Sequence, residues 1–181
     1  EITKGGASEE LVKKAKDFLT GEIVLNTHAT LNGVNKTLLE KGCPTKFKFD
    51  WSNTDTNTFS VSLLNFTVGK MGMIINFKCD VNTWEKDEYP GAGWIKFYGE
   101  DGSTWGEEKD GTPANAKGSS VKGYYNTDTH QINFIVDYNM MNVRSECFLQ
   151  TIDKTRINNY EKEFAQFEKD LEEYKKEHGL S

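Results

Sequence analysis

Between about residue 22 and residue 152, apolar and polar residues alternate with a period of two; outside that span the apolar spacing lengthens to three and four. A strand with one face in a core and one in water produces the first pattern, and a surface helix produces the second. This change of rhythm limits the chain to a β core with a helix at either end. The most informative stretch is His130 to Ile152. Folded at Met140-Met141, it places Tyr138 opposite Val143, Val136 opposite Ser145, Phe134 opposite Cys147 and Ile132 opposite Leu149 on one apolar face. The other face pairs Asp137 with Arg144, Ile135 with Glu146 and Asn133 with Phe148. Opposite charges across two strands are favourable, and a one-residue slip would swap the faces, so a single register is expected.

Residues 8–20 predict a short helix, with Ser8 as N-cap, Glu9 and Glu10 at the positive end of the dipole, and Gly21 as its stop. Asn32-Gly33 predicts a type I′ hairpin turn, with Val34 to Leu39 as the return strand. Phe47, Phe49 and Trp51 alternate with Lys46, Lys48 and Asp50. Phe59, Val61 and Leu63 share a face, but Leu64, Phe66 and Val68 share the other, which predicts a β-bulge or a strand between two environments. Met71 to Val81 keeps strict alternation. Loops are expected at 82–93, which holds Trp84, and at 99–118, which holds Trp105; Trp94–Tyr98 and Val121–Tyr125 are expected strands. From Asp153, the residues Ile157, Tyr160, Phe164, Phe167, Leu171 and Tyr174 form a helical stripe. Packing on the domain's own sheet and N-terminal helix is expected. The stripe covers only about three heptads, so a monomer is expected over a coiled-coil dimer.

The net charge of -6 argues against nucleic acid and anionic membrane as partners. No apolar run approaches the roughly 18 residues of a membrane span. Cys43, Cys79 and Cys147 lack CxxC spacing, so they are either buried thiols or one bridge and a thiol. His28, His130 and His178 lack metal spacing. The acidic residues Glu100, Asp101, Glu107, Glu108 and Asp110 lack the ligand order of an EF-hand. No GxSxG, P-loop, HExxH or GxGxxG is present. No catalytic residue, metal or cofactor is therefore expected. The ligand-contacting candidates are Trp84 and Trp105, whose rings can stack on a sugar or cover a barrel mouth, and Met140 and Met141, whose thioethers suit an adaptable contact.

The run FSVSLLNFTVGKMGMIINFKCDV, with its LxNFxVGxMG turn, and the later GYYNTDTHQINFIVDYNMMNVRSECFLQ hairpin resemble the calycin-like (lipocalin-like) lipoproteins of unknown function from gut Bacteroides-type bacteria. The resemblance covers about residues 20–152. It implies an extracytoplasmic protein, periplasmic or at the cell surface, with a lipid anchor in a segment this chain does not show. The expected fold is mainly β. It is a single domain over 1–181, with a helix over 8–20, an antiparallel calycin-like barrel of about eight strands over 21–152, and a long amphipathic helix over 153–179. The leading functional expectation is a non-catalytic extracytoplasmic binding protein. Its ligand would be small and partly apolar, held in the barrel or at its mouth. The alternative is a protein-protein or glycan interaction module with a solid barrel core, meeting a cell-surface partner.

Overall fold

The structure, a computed structural model, describes residues 9–52, 57–67, 74–85, 93–106, 119–138 and 142–180. Helix α1 (Glu9–Phe18) leads into β1 (Gly21–Leu31), β2 (Val34–Asn35), β3 (Cys43–Trp51), β4 (Thr58–Thr67) and β5 (Ile74–Glu85). Then follow β6 (Trp94–Glu100), β7 (Ser103–Gly106), β8 (Ser120–Asn126), β9 (Gln131–Asp137) and β10 (Val143–Thr151). A 3-10 turn (Lys154–Asn159) runs into helix α2 (Tyr160–Glu177). Eight of the strands form a nearly closed antiparallel ring in the order β1-β3-β4-β5-β6-β8-β9-β10, and β10 returns to β1. Closure leaves few strand edges for another chain to pair with.

The two-residue rhythm becomes the two faces of this ring. Ile23, Leu25, Phe47, Phe49, Phe59, Val61, Phe97, Phe134 and Val136 are buried in one continuous hydrophobic cluster. Phe134 stands edge-on to Phe47 at 5.0 Å between ring centres, and Phe97 edge-on to Phe59 at 5.5 Å. Edge-to-face packing adds to the roughly 1.5–3 kcal/mol that burying each such side chain contributes before entropy. Gly123 makes room for this stack. A Cβ there would overlap Asn133 O and Phe134 Cβ and would lie 2.8 Å from Phe97 Cζ.

One end of the ring, the base, is covered by α1. Val12, Ala15 and Leu19 join the core, and Trp51 Nε1 donates to Leu19 O at 2.8 Å. Phe18 stacks on His130 at 3.7 Å, and the His130 ring is held by Tyr125 through a 2.7 Å bond at Nδ1. The expected cap, Ser8, lies outside the described residues. At the other end, the mouth, Asn32 and Gly33 both take positive φ (52° and 80°), as a type I′ turn requires.

Several expected elements differ. The return strand after Gly33 stops at Asn35 instead of Leu39, because the Thr37 hydroxyl, rather than a backbone carbonyl, accepts from Ala29 N at 2.9 Å. The strand expected to end at Val81 runs on to Glu85, so Trp84 lies in β5 opposite Lys96. The expected loop 99–118 contains β7, which pairs Trp105 with Asn76 of β5. β6 leaves β5 beyond Tyr98, and β7 takes up the same β5 edge after Asp101, which sits at φ 56°. The expected irregularity at Leu63-Leu64 is present as a register shift between Leu63 and Phe66. Residues 68–73, which include Met71 and Met73, lie outside the described residues.

The 130–152 hairpin follows its expected register from Asp137–Arg144 through Phe134–Cys147. The pairing then shifts, and Ile132 faces Gln150 rather than Leu149; Asn133 and Phe148 are not partners. Phe148 and Leu149 are consecutive and both face solvent, 59% and 50% exposed. The bulge turns β10 away from β1, so the two strands pair only from His28–Glu146 to Leu31–Val143. Below that point, side chains bridge the ring. The Gln150 amide accepts from Asn26 N at 3.0 Å and donates to Asn26 O at 2.7 Å, copying both bonds of a strand pair. Arg156 donates to Asn26 Oδ1 at 2.6 Å and to Val24 O, and its guanidinium holds Glu163 of α2 at 2.7 Å. The helical stripe lies along β3 and the 3-10 turn, with Lys46 Nζ 5.1 Å above the Tyr160 ring. It is half-buried throughout; no residue of α2 is fully buried.

Candidate functional site

The outer surface is indented over the seam between β1 and β10. Register places side chains there in rows across four strands. Asn35, Thr30, Arg144 and Asp137 form one row; His28, Glu146 and Ile135 form the next. Phe148 follows on β10, two residues beyond Glu146 and on the same outward face. At the mouth, the tips of two hairpins are clasped. Asn32 N donates to Asn142 O at 3.2 Å, and Asn142 Nδ2 donates to Asn32 Oδ1 at 2.8 Å. Asn142 has φ 54°, a left-handed conformation asparagine tolerates. All of these residues except Asp137 and Ile135, together with Gly33, line a cleft of about 540 Å³, within the range of small-ligand pockets.

Local contacts fix the walls. His28 Nε2 meets Glu40 O at 2.9 Å, so this nitrogen carries the proton, because a carbonyl only accepts. Its ring stands edge-on to Phe148 at 5.6 Å between centres. Gly42 (φ 83°) lies against the same ring; a Cβ there would be 2.8 Å from Thr27 O and 3.0 Å from His28 Cε1. Arg144 Nε lies 3.4 Å from Asp137 Oδ2, an exposed cross-strand pair as the register implied. Phe148 is a ridge. On its far side a second, smaller cleft of about 270 Å³ is lined by Lys122, Tyr124, Asn133, Glu146 and Leu149.

Nucleophilic chemistry finds little support in the thiols. All three cysteines are free. Burial pushes Cys43 up to about 11 and Cys147 up to about 12, and burial with nearby Asp80 pushes Cys79 up to about 12. A reactive cysteine needs the opposite shift. Among the described residues, no group of three His, Cys, Asp or Glu is placed to hold a metal ion.

The expected contact residues fall elsewhere. Trp84 and Trp105 pair with β6 and β5 respectively; their positions along β5 are separated by the stretch from Asn76 to Trp84, about 26 Å at ~3.3 Å per residue. Trp84 is thus at the base and Trp105 at the mouth, and the structure does not bring them together. Met140 and Met141 lie outside the described residues. The residues that build the cleft were visible only as parts of strands and turns: the Asn32-Gly33 turn, the Asp137–Arg144 pair and His28 on a polar face.

A family profile described as a domain of unknown function, DUF4903, matches residues 1–179. The chain belongs to this family. Neither the curated proteins nor the solved structures contain a match to it. Among the described residues of this DUF4903 domain, no helix is long and apolar enough to cross a membrane.

Proposed function

We propose that this DUF4903 domain is a non-catalytic extracytoplasmic binding module that takes a small, partly apolar ligand on its outer surface, in the cleft over the β1–β10 seam. The observation that carries this reading is a contrast in packing. The described inward positions are filled by an aromatic stack, whereas the outer face holds a formed cleft with an exposed phenylalanine as one wall. The antiparallel ring with a helix at each end supports kinship with calycin-like barrels. The extracytoplasmic location, with a lipid anchor in a segment beyond this chain, belongs to that kinship.

The test is native mass spectrometry of the full chain against amphiphiles and saccharides, with Thr30→Trp as the blocking variant. Thr30 lies on the cleft floor opposite Arg144, so an indole there fills the cleft without touching the core. Ligands that bind the wild type and are lost in Thr30→Trp support the reading. Undiminished binding in that variant overturns it.

A second reading is a protein-interaction module, favoured by the adjacent exposed Phe148 and Leu149. Sedimentation over a range of concentrations, with Leu149→Ser as control, separates self-association from a monomer that binds small ligands.

A further inference from the structure

We infer that the ligand of the seam cleft is a neutral carbohydrate, seated with one face of its ring on Phe148. This rests on the binding reading above and names its chemistry. The polar groups of the cleft are held by one atom and open at another. Asn32 Oδ1 is taken by Asn142 Nδ2, which leaves Asn32 Nδ2 as a donor and Asn142 Oδ1 as an acceptor. Asn35 Oδ1 accepts from Thr37 N at 2.9 Å, which leaves its Nδ2 as a donor. Arg144 engages Asp137 through Nε, which leaves its terminal nitrogens. Glu146, facing His28 across the seam, adds a carboxylate acceptor, and Thr30 adds a hydroxyl.

The cleft therefore offers donors at Asn32, Asn35 and Arg144 and acceptors at Asn142, Thr30 and Glu146. A hydroxyl group both donates and accepts, so adjacent hydroxyls on a ring satisfy such a surface; an alkyl chain would desolvate these groups and return nothing. The charges also select. Arg144 already has Asp137 as its counter-ion, and Glu146, opposite His28 and Ile135, adds a further carboxylate to the cleft wall, so a carboxylate on the ligand is less favoured than a hydroxyl. Phe148 supplies the apolar complement. It is more than half exposed, and the His28 ring stands edge-on beside it. Amide side chains held by hydrogen bonds, with a carboxylate beside them and a flat hydrocarbon ring next to both, form a surface for a molecule with hydroxyls at its rim and C–H bonds on its face. The cleft volume of about 540 Å³ suits one or two sugar rings better than a long chain.

The test is a titration of the 15N-labelled full chain with maltose, cellobiose and mannobiose, with their uronic-acid counterparts, and with monomeric deoxycholate. The expected result is a shift of the amides of 28–35 and 142–148 by at least one neutral disaccharide, with a dissociation constant of roughly 0.1–1 mM. Weaker binding of the matching uronic acid is expected, as is at least about tenfold weaker binding in Phe148→Ala. Phe148 is outside the core, so an unchanged circular dichroism spectrum is expected in that variant. Saccharide binding that survives Phe148→Ala, or that shifts only amides elsewhere, overturns the inference. Deoxycholate alone shifting the cleft amides overturns the carbohydrate and leaves the binding reading standing. No probe shifting them at on the order of 10 mM overturns both.

Discussion

Two parts of the same ring are closed by different means. On the wall between β8 and β9, backbone pairs with backbone without interruption from Ser120–Asp137 to Tyr125–Ile132. Gly123 lies inside that wall, with Asn133 O, Phe134 and Phe97 close around it. Across the ring, the β1–β10 seam has a backbone ladder only at its mouth half. Its base half is joined by Gln150 and Arg156. The wall is therefore intolerant of added volume, whereas the seam is intolerant of lost hydrogen-bonding groups. The bulge that makes the seam imperfect also turns Leu149 out beside the outward-facing Phe148, so the weaker closure and the apolar wall of the candidate site lie side by side.

The strongest blow falls on the wall. Gly123→Ala places a methyl group into backbone and ring atoms, with an expected loss of about 3 kcal/mol, read as a lower urea midpoint. A loss under about 1 kcal/mol would mean the wall yields as easily as the seam. At the seam, Gln150→Ala leaves Asn26 N and O without partners, with an expected loss of about 2 kcal/mol. Gln150 Nε2 also bonds Cys147 Sγ at 3.2 Å. Alkylation of Cys147 in the native state should therefore speed up about tenfold in that variant, while Cys79 on β5 stays slow. Equal acceleration at both thiols would show global unfolding rather than an opening seam.

Alkali sharpens the comparison further. The thiols have an ordinary value of 9.0, raised by burial to about 12 at Cys147 in the seam and about 12 at Cys79 on β5, away from the seam. A raised folded value means the unfolded chain ionises first, so each thiol's contribution to stability is constant below about pH 9 and falls above it. The expected slope is about 1.4 kcal/mol per pH unit for each such thiol up to its folded value, measured by denaturation at successive pH. Cys147→Ala should remove one thiol's share. The smallest effect belongs to the Asp137–Arg144 pair. It is solvent-exposed, so Asp137→Asn should cost under about 0.5 kcal/mol and vanish at high salt.

The pattern of what the sequence revealed follows the same division. Alternation assigns each residue to a face, and Phe47, Phe59, Phe97 and Phe134 all turn inward as their parity requires. The opposite charges of Asp137 and Arg144 fixed the mouth half of the last hairpin. Alternation does not identify partners far along the chain, and the closure of β10 on β1 joins segments over a hundred residues apart. The bulge had a signal in the adjacent apolar residues Phe148 and Leu149, the same signal that marks the shift after Leu63. Gln150, which seals the seam, looks from sequence like any exposed polar residue. β7 escaped notice because Ser103–Gly106 carries one apolar residue and is defined by the β5 edge it meets. The cleft was illegible for the same reason: its walls are the 28–35 and 142–148 segments, and only ring closure makes them neighbours.

The side-chain joint at Arg156 has a mechanical consequence. The guanidinium grips the edge of β1 on one side and Glu163 on the other, so the final helix is hung from the barrel at the joint that closes it. A pull on the C-terminal helix would load those few contacts in turn, as a zipper is loaded, rather than shear a whole ladder at once. Tension applied there would peel β10 away from the base upward and would reach the sugar-sized hollow only after Gln150 had let go.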